Sequence, residues 1–424
     1  MNYAFGPFRL DAQRRILYSG TMPTTIPERI CQVLCKLLDS GGEIVTREAL
    51  AYDVWGEDGV TDTNVNQHVY LLRVLLGEKR GEPGYILTIP GVGYRFAAPV
   101  TLIGDTVKDA NEGKASDELW QRCCGGWYLA DRLTATALNA AARTFEGVLA
   151  VEPDYGPALI GLAHAHAMLA TYGFATPAFA FSLANAAITR ALRNEPASAI
   201  GHAVLAEIRL FGDWDTSAAR TALTTAMQLS PETQLTRVNV AWYHVCRGEA
   251  RAGWLEAAQV LFAEPSSLPL QVLAARMLLH AGDHARAIEM TSNVLAVEPD
   301  CTAARRYRVQ ALLLADRVDE AMADLATANA DAVENRTYRL PLLARAWSRF
   351  DRERAIEYDG QLRSAAASEY VPSWALAISA DAAGRRDEAV ALLRAATRER
   401  DPGVQFLRSL DGLTPGVREA ARAG

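Results

Sequence analysis

Asn64, Gln67, His68 and Leu71 fall on one face of a short segment from Thr61 to Gly77, whose opposite face carries Val65, Val69, Leu72 and Leu76. The apolar set sits at i, i+4, i+7 and i+11, the spacing of a helix packed on one side. A row of amides and an imidazole on a short helix has a definite chemical use. Asn and Gln can each pair with adenine's major-groove edge through two hydrogen bonds, and an apolar tip can meet a thymine methyl group. Solvated polar helix faces are also commonplace, so the elements around this segment must decide between the two uses.

Those elements differ between the two halves of the chain. Residues 1–98 hold short runs of β-branched and aromatic residues: FRL at 8–10 and RILY at 15–18 predict strands, and YILTIPGVGYRF at 85–96 predicts a hairpin turning at Pro90 and Gly91. Periodic segments at 28–39, 47–55 and 62–76 predict three helices between them. Residues 99–117 mix Gly, Asp, Lys and Ser without apolar periodicity and are expected to form a linker.

From residue 118 onward the chain is rich in Ala and Leu, and it repeats. Small residues recur every 34 positions at Ala219, Gly253, Ala287, Ala321, Ala355 and Ala389, with apolar ones in step at Ala226, Val260, Val294, Ala328, Leu362 and Ala396. Turn-forming RGE at 247–249, AGD at 281–283, ADR at 315–317 and AGR at 383–385 separate the two helices of a pair, and Pro231, Pro265 and Pro299 stop the second. This period is the signature of tetratricopeptide-like helix pairs stacked into a solenoid. About eight pairs are expected over 118–424, followed by a polar C-terminal cap.

Several motifs of the first half occur together and in order: TREALAYDVWG at 46–56, LLRVLLG at 71–77 and YILTIPGVGYRFAAPV at 85–100. In this respect the segment resembles the OmpR/PhoB-type winged helix-turn-helix family, in its ToxR/CadC/HilA-like branch that lacks a receiver domain. Members of that branch also join such a domain to a tetratricopeptide region. The expected fold is therefore mainly α: an N-terminal α+β winged helix-turn-helix domain over 1–98, then an all-α tetratricopeptide-like solenoid.

The resemblance implies roles for particular residues. Trp55, His68, Arg73, Thr88 and Tyr94 match positions that contact the DNA backbone, and base reading falls to Asn64, Gln67, Tyr70 and Leu71. Leu71 and Pro90 stand where response-regulator members often carry arginine. Gly91 and Gly93 are expected to shape the tight hairpin.

Charge restricts how such a domain can bind. The chain has a net charge of −7, and residues 1–98 hold ten Lys and Arg against eleven Asp and Glu. Nonspecific coating of nucleic acid, which needs a cationic surface, is excluded. One copy should bind weakly, with Lys79, Arg80 and Arg95 near the wing supplying part of the missing charge. Two copies on adjacent half-sites, or a partner, would make up the rest.

In a tetratricopeptide solenoid the first helix of each pair lines the concave face, which here includes Val238, Trp242, Val245, Val272, Arg276, Leu340, Trp347 and Trp374. Trp242, Arg276, Trp347 and Trp374 suit a groove for a peptide or partner helix; equally, the tryptophans can be core. Dimerisation through the terminal repeats is a third use.

Other chemistries find little support in the sequence. Its six cysteines form no C-x-x-C pair and suggest a reducing compartment with buried thiols. No catalytic group set, phosphate loop or dinucleotide fingerprint is present, and neither cofactor nor metal is expected. The uncharged stretch 155–189 is broken by YGFATP and predicts two buried helices rather than a membrane span. The N-terminus lacks a signal peptide's cationic start, so a cytoplasmic location is expected.

The expected function is thus that of a sequence-specific, non-enzymatic transcription regulator. Its partners would be double-stranded DNA and a protein or peptide, or a second copy, held by the repeats. The alternative is an interaction scaffold whose winged helix has lost DNA binding.

Overall fold

The computed structural model describes residues 2–12, 15–19, 22–26, 28–55, 65, 68–69, 72–73, 75–76, 84–89, 91–103, 110–231, 233–263, 265, 267–327, 332–408, 414 and 417–419. The chain forms two compact units, Met1–Lys114 and Ala115–Gly424.

The first unit has eight strands among the described residues: β1 (Asn2–Phe5), β2 (Phe8–Asp11), β3 (Ile16–Ser19), β4 (Met22–Thr25), β5 (Ile44–Thr46), β6 (Ile86–Ile89), β7 (Gly93–Phe96) and β8 (Thr101–Ile103). They make a five-stranded antiparallel sheet in the order β4-β3-β2-β1-β8 and a three-stranded sheet in the order β5-β7-β6. Alternation sets the faces of the larger sheet, since Tyr3, Phe5, Phe8 and Leu10 point inward while Arg9 faces solvent.

Helices α1 (Glu28–Asp39) and α2 (Arg47–Trp55) cover the predicted segments. The first buries Ile30, Val33, Leu34, Leu37 and Leu38, the second Leu50 and Val54, all in one core with the strands. Lys36 Nζ lies 2.6 Å from Asp53 Oδ2, and Arg29 donates to the Val54 carbonyl, so polar contacts also tie the two helices.

Sequence patterning found β2, β3 and the hairpin β6–β7 but missed β1, β4, β5 and β8. Strands β5 and β8 have only three residues each, too few for a period of two to stand out. The segment 99–117 also needs correction. Residues Thr101–Ile103 pair with β1, and a helix runs over Ala110–Ala130.

In the second unit, among the described residues, seven consecutive helix pairs pack together, from Gly156–Thr171 with Pro177–Asn194 to Ser373–Ala382 with Arg386–Arg398, and ahead of them Ala110–Ala130 meets Ala135–Leu149 through Trp127 and Phe145. Ala219, Ala287, Ala321, Ala355 and Ala389 are all fully buried, as close approach of neighbouring helices requires. The inter-helix turns obey the same period: Trp214, Gly248, Gly282, Asp316 and Gly384 all have positive φ and lie 34 residues apart, or 68 across Phe350. The uncharged stretch resolves into helices Gly156–Thr171 and Pro177–Asn194, and no helix among the described residues is long and apolar enough to cross a membrane.

Residues 402–407, at the start of the stretch expected to form a polar cap, are largely buried. Helix Pro402–Arg408 buries Val404, Phe406 and Leu407, and Gln405 Nε2 donates to the Leu210 carbonyl at 3.0 Å. Phe406 packs against Phe211, Trp242 and His280, which lie on the first helices of three successive pairs. Its apolar side chains fill a groove that would otherwise expose aromatic surface.

Asp401 precedes this helix and accepts from the Gly403 N–H at 3.0 Å. Burial pushes its carboxyl up to about 7, against the lowering effect of that hydrogen bond, and Glu399 adds to the rise. The folded state therefore holds a proton that the unfolded state releases near the usual carboxylate pKa of about 3.9. The stability this confers is fully present below about pH 4 and lost as pH rises through about 7. Amide protection factors over 402–408, corrected for the intrinsic base-catalysed exchange rate, are expected to be higher at pH 5.5 than at pH 8, and Asp401→Asn should flatten the dependence.

Candidate nucleic-acid interface

The helix expected to read DNA is described at Val65, His68, Val69, Leu72, Arg73, Leu75 and Leu76. Val65, Val69, Leu72 and Leu76 are buried in the core with α1 and the hairpin, the face that the spacing assigns to packing. His68 and Arg73 are half-buried. Asn64, Gln67, Tyr70 and Leu71 lie outside the described residues, as do Lys79, Arg80, Pro90 and the side chain of Trp55.

Arg73 holds the helix to the wing. Its Nη2 donates to the Ile86 carbonyl at 2.9 Å and to Thr88 Oγ1 at 2.7 Å, both on β6. Arg73 and Thr88, both expected at the DNA backbone, hydrogen-bond each other and form a joint between the reading helix and the hairpin. Thr88 is exposed, so this joint lies at the surface. Charge-assisted hydrogen bonds of this kind fix orientation well because the guanidinium is planar and rigid.

The hairpin pairs Ile86 with Phe96 and Ile89 with Gly93. Gly91 has φ +73°, a left-handed turn position that glycine adopts without steric cost. Gly93 has a different reason, because a Cβ there would lie 2.1 Å from the Val45 carbonyl oxygen of β5. The hairpin turn thus needs Gly91, and the packing of β7 on β5 needs Gly93.

Tyr94 is corrected by its environment. It is 4% exposed, with the Arg47 guanidinium 5.4 Å from its ring centroid, and it belongs to the core instead of projecting toward a phosphate. Arg47, which the sequence reading passed over, also donates its backbone N–H to the Val92 carbonyl at 3.3 Å, so α2 begins against the hairpin turn. Arg95 on β7 is exposed and free to meet a polyanion.

Of the residues expected to line a partner groove, Trp242, Arg276 and Trp374 are each 6% exposed and packed inside the second unit, so they are not open anchors. The chain's own Phe406 covers Trp242 and Arg276. Trp347 is half-buried, with the Arg354 guanidinium 4.3 Å from its ring centroid.

Comparison with known proteins agrees with this geometry. Residues 23–96 match the family model described as transcriptional regulatory protein, C terminal, and residues 278–346 match a tetratricopeptide repeat model. Transcriptional regulator HilA of Salmonella typhimurium is 36% identical over 101 residues, which cover 24% of this chain and 18% of that protein. Sensory transduction protein RegX3 of Mycolicibacterium smegmatis is 34% identical over 92 residues, 22% of this chain and 40% of that protein. Among solved structures, the DNA-binding domain of E. coli CadC aligns at 25% identity and a TM-score of 0.22, covering 24% of this chain and 94% of that one. The chain therefore matches less than half the length of these curated relatives. Within that span, it carries an N-terminal domain of the OmpR/PhoB-type transcriptional regulatory family, joined to tetratricopeptide repeats.

Proposed function

We propose that the chain is a cytoplasmic, sequence-specific DNA-binding transcription regulator, in which the winged helix reads promoter DNA and the repeats provide partner binding, dimerisation or signal input. The observation that carries this reading is the burial of Val65, Val69, Leu72 and Leu76, with Arg73 locking the same helix to the wing. A helix so fixed offers its remaining face in one orientation, which base readout needs. On the family resemblance, Asn64, Gln67, Tyr70 and Leu71 are assigned to bases. His68 and Arg95 are assigned to phosphates, and Trp55 to the backbone.

Affinity has to come from few cations. Arg95→Ala is expected to weaken binding evenly across sequences and to lower the slope of log affinity against log salt by about 1. Gel-shift titration at several salt concentrations measures both quantities. The same titration tests the rival reading, a scaffold that has lost DNA binding. Near-neutral charge in the first 98 residues favours the scaffold, and absence of any duplex binding at low salt would establish it. Light scattering of the full chain across concentrations tests dimerisation.

A further inference from the structure

The interior of the repeat unit holds a cavity of about 80 Å³, several times the roughly 10–15 Å³ that one water occupies on the same measure. Its wall combines Arg276 and Arg345 with Leu313, Leu342, Ile378 and Phe406, and among the described residues it includes no Asp or Glu. Among the described residues no carboxylate lies within 4.0 Å of either guanidinium.

Arg276 is buried among aromatic rings, 4.3 Å from the Trp242 centroid and 4.2 Å from that of Phe406, and its Nη1 donates to Tyr172 Oη at 2.8 Å. Cation–π contacts offset part of the desolvation of a guanidinium but leave its positive field unneutralised. That field is visible in its neighbour: burial and the charge of Arg276 pull His280 down to about 3, so the imidazole stays neutral. Burial, Arg349 and Arg418 lower Arg345, to about 10, against the opposing effect of the Asp381 carboxylate.

Two further polar groups on the wall, Thr171 Oγ1 and the Trp374 indole N–H, have no hydrogen-bond partner, although Thr171 is 4% and Trp374 6% exposed. Both can donate to a group seated in the cavity.

The placement of Arg276 follows the repeat. Trp242, Arg276 and Gln310 stand 34 residues apart at one position of successive first helices, and Gln310 also lines the cavity. Arg345 comes 35 residues after Gln310, and between them lies the π-helical turn Asn335–Arg339. Ala344, which keeps the exact 34-residue register, is fully buried, and Arg345 beside it is half-buried on the cavity wall.

We propose that this cavity binds a small organic carboxylate, with its anionic head between Arg276 and Arg345 and its apolar body against Leu313, Leu342 and Ile378. Thr171 and Trp374 supply further donors to the head. The apolar majority of the wall selects an organic anion over inorganic phosphate. This site goes beyond the proposed regulatory role and stands on the cavity alone, so it is tested without DNA.

The experiment is calorimetric titration and thermal melting of the full chain with sodium benzoate and sodium butyrate. Sodium chloride at equal ionic strength, benzamide, butyramide and inorganic phosphate serve as the other arms. Saturable uptake of a carboxylate with a raised melting temperature is expected, with at least tenfold weaker binding for the amides and for phosphate. Arg345→Gln should reduce carboxylate affinity at least tenfold. Gln310→Glu, which places a carboxylate beside the two cations, should raise the melting temperature of the free protein and abolish uptake, and it covers the case in which an arginine variant fails to fold. No saturable uptake, equal uptake of amide or phosphate, or unchanged affinity in both variants would overturn the proposal.

Discussion

Gly93→Val is expected to destabilise the winged domain by about 3 kcal/mol, at the upper end of ordinary overpacking costs. A Cβ at this position would lie 2.1 Å from the Val45 carbonyl oxygen and 2.8 Å from Thr46 Cα. Both are backbone atoms of β5, which is hydrogen-bonded to β7 and cannot swing aside as a side chain would. For a domain of this size each kcal/mol moves the melting midpoint by about 4–8 °C, so a drop of about 12–24 °C is expected in the domain's transition. DNA binding should fall with it, because Ile86 and Thr88, which anchor Arg73, belong to the hairpin that β7 completes. Differential scanning calorimetry reads the shift. An unchanged transition would show that β5 and β7 can separate without loss.

The second large effect lies in the repeats. His164 Nδ1 sits 3.0 Å from Glu207 Oε2, and the imidazole stacks on Trp127 at 5.1 Å between ring centroids. Glu207 is 1% exposed, so His164→Leu strands a buried carboxylate. Removing one partner of a buried pair costs about 3–5 kcal/mol, whereas replacing both by apolar residues is often nearly neutral. The double variant His164→Leu/Glu207→Leu is therefore expected to recover most of the loss, as a double-mutant cycle by denaturant melting would show.

The pair also carries a pH dependence. Burial alone would lower the His164 pKa, but the Glu207 carboxylate outweighs it and the net shift is upward, with Asp131 contributing. Stability from a raised histidine is complete below its unfolded pKa of about 6.5 and is lost as pH rises through the folded value. His164→Leu should remove that component.

How far the sequence reveals this molecule depends on how much repetition each feature has. The helices at 28–39 and 47–55, the hairpin and the 34-residue period all carry several periods of apolar spacing, and all are present. The packing face of the reading helix was likewise legible from Val65, Val69, Leu72 and Leu76. Strands of three residues such as β5 and β8 carry too little pattern, and their existence depends on partners distant in the chain.

Side-chain roles were less legible. Arg73 and Tyr94, both expected at the DNA backbone, serve here for anchoring and for core packing, a placement made by tertiary neighbours. The inward Arg276 had a signal in Trp242, Arg276 and Gln310 at 34-residue spacing. Arg345 lies one position off that register, beside the fully buried Ala344, so the spacing alone does not mark it.

The central claim, that the N-terminal domain reads specific duplex DNA, is tested most directly by selecting bound sequences from a random duplex library with the purified full-length chain at low salt. The expected result is enrichment of a defined motif. In Asn64→Ala and Gln67→Ala the site preference should relax by about 1–3 kcal/mol for each lost bidentate contact. Recovery of the input distribution, with no motif enriched at any salt concentration, would contradict it.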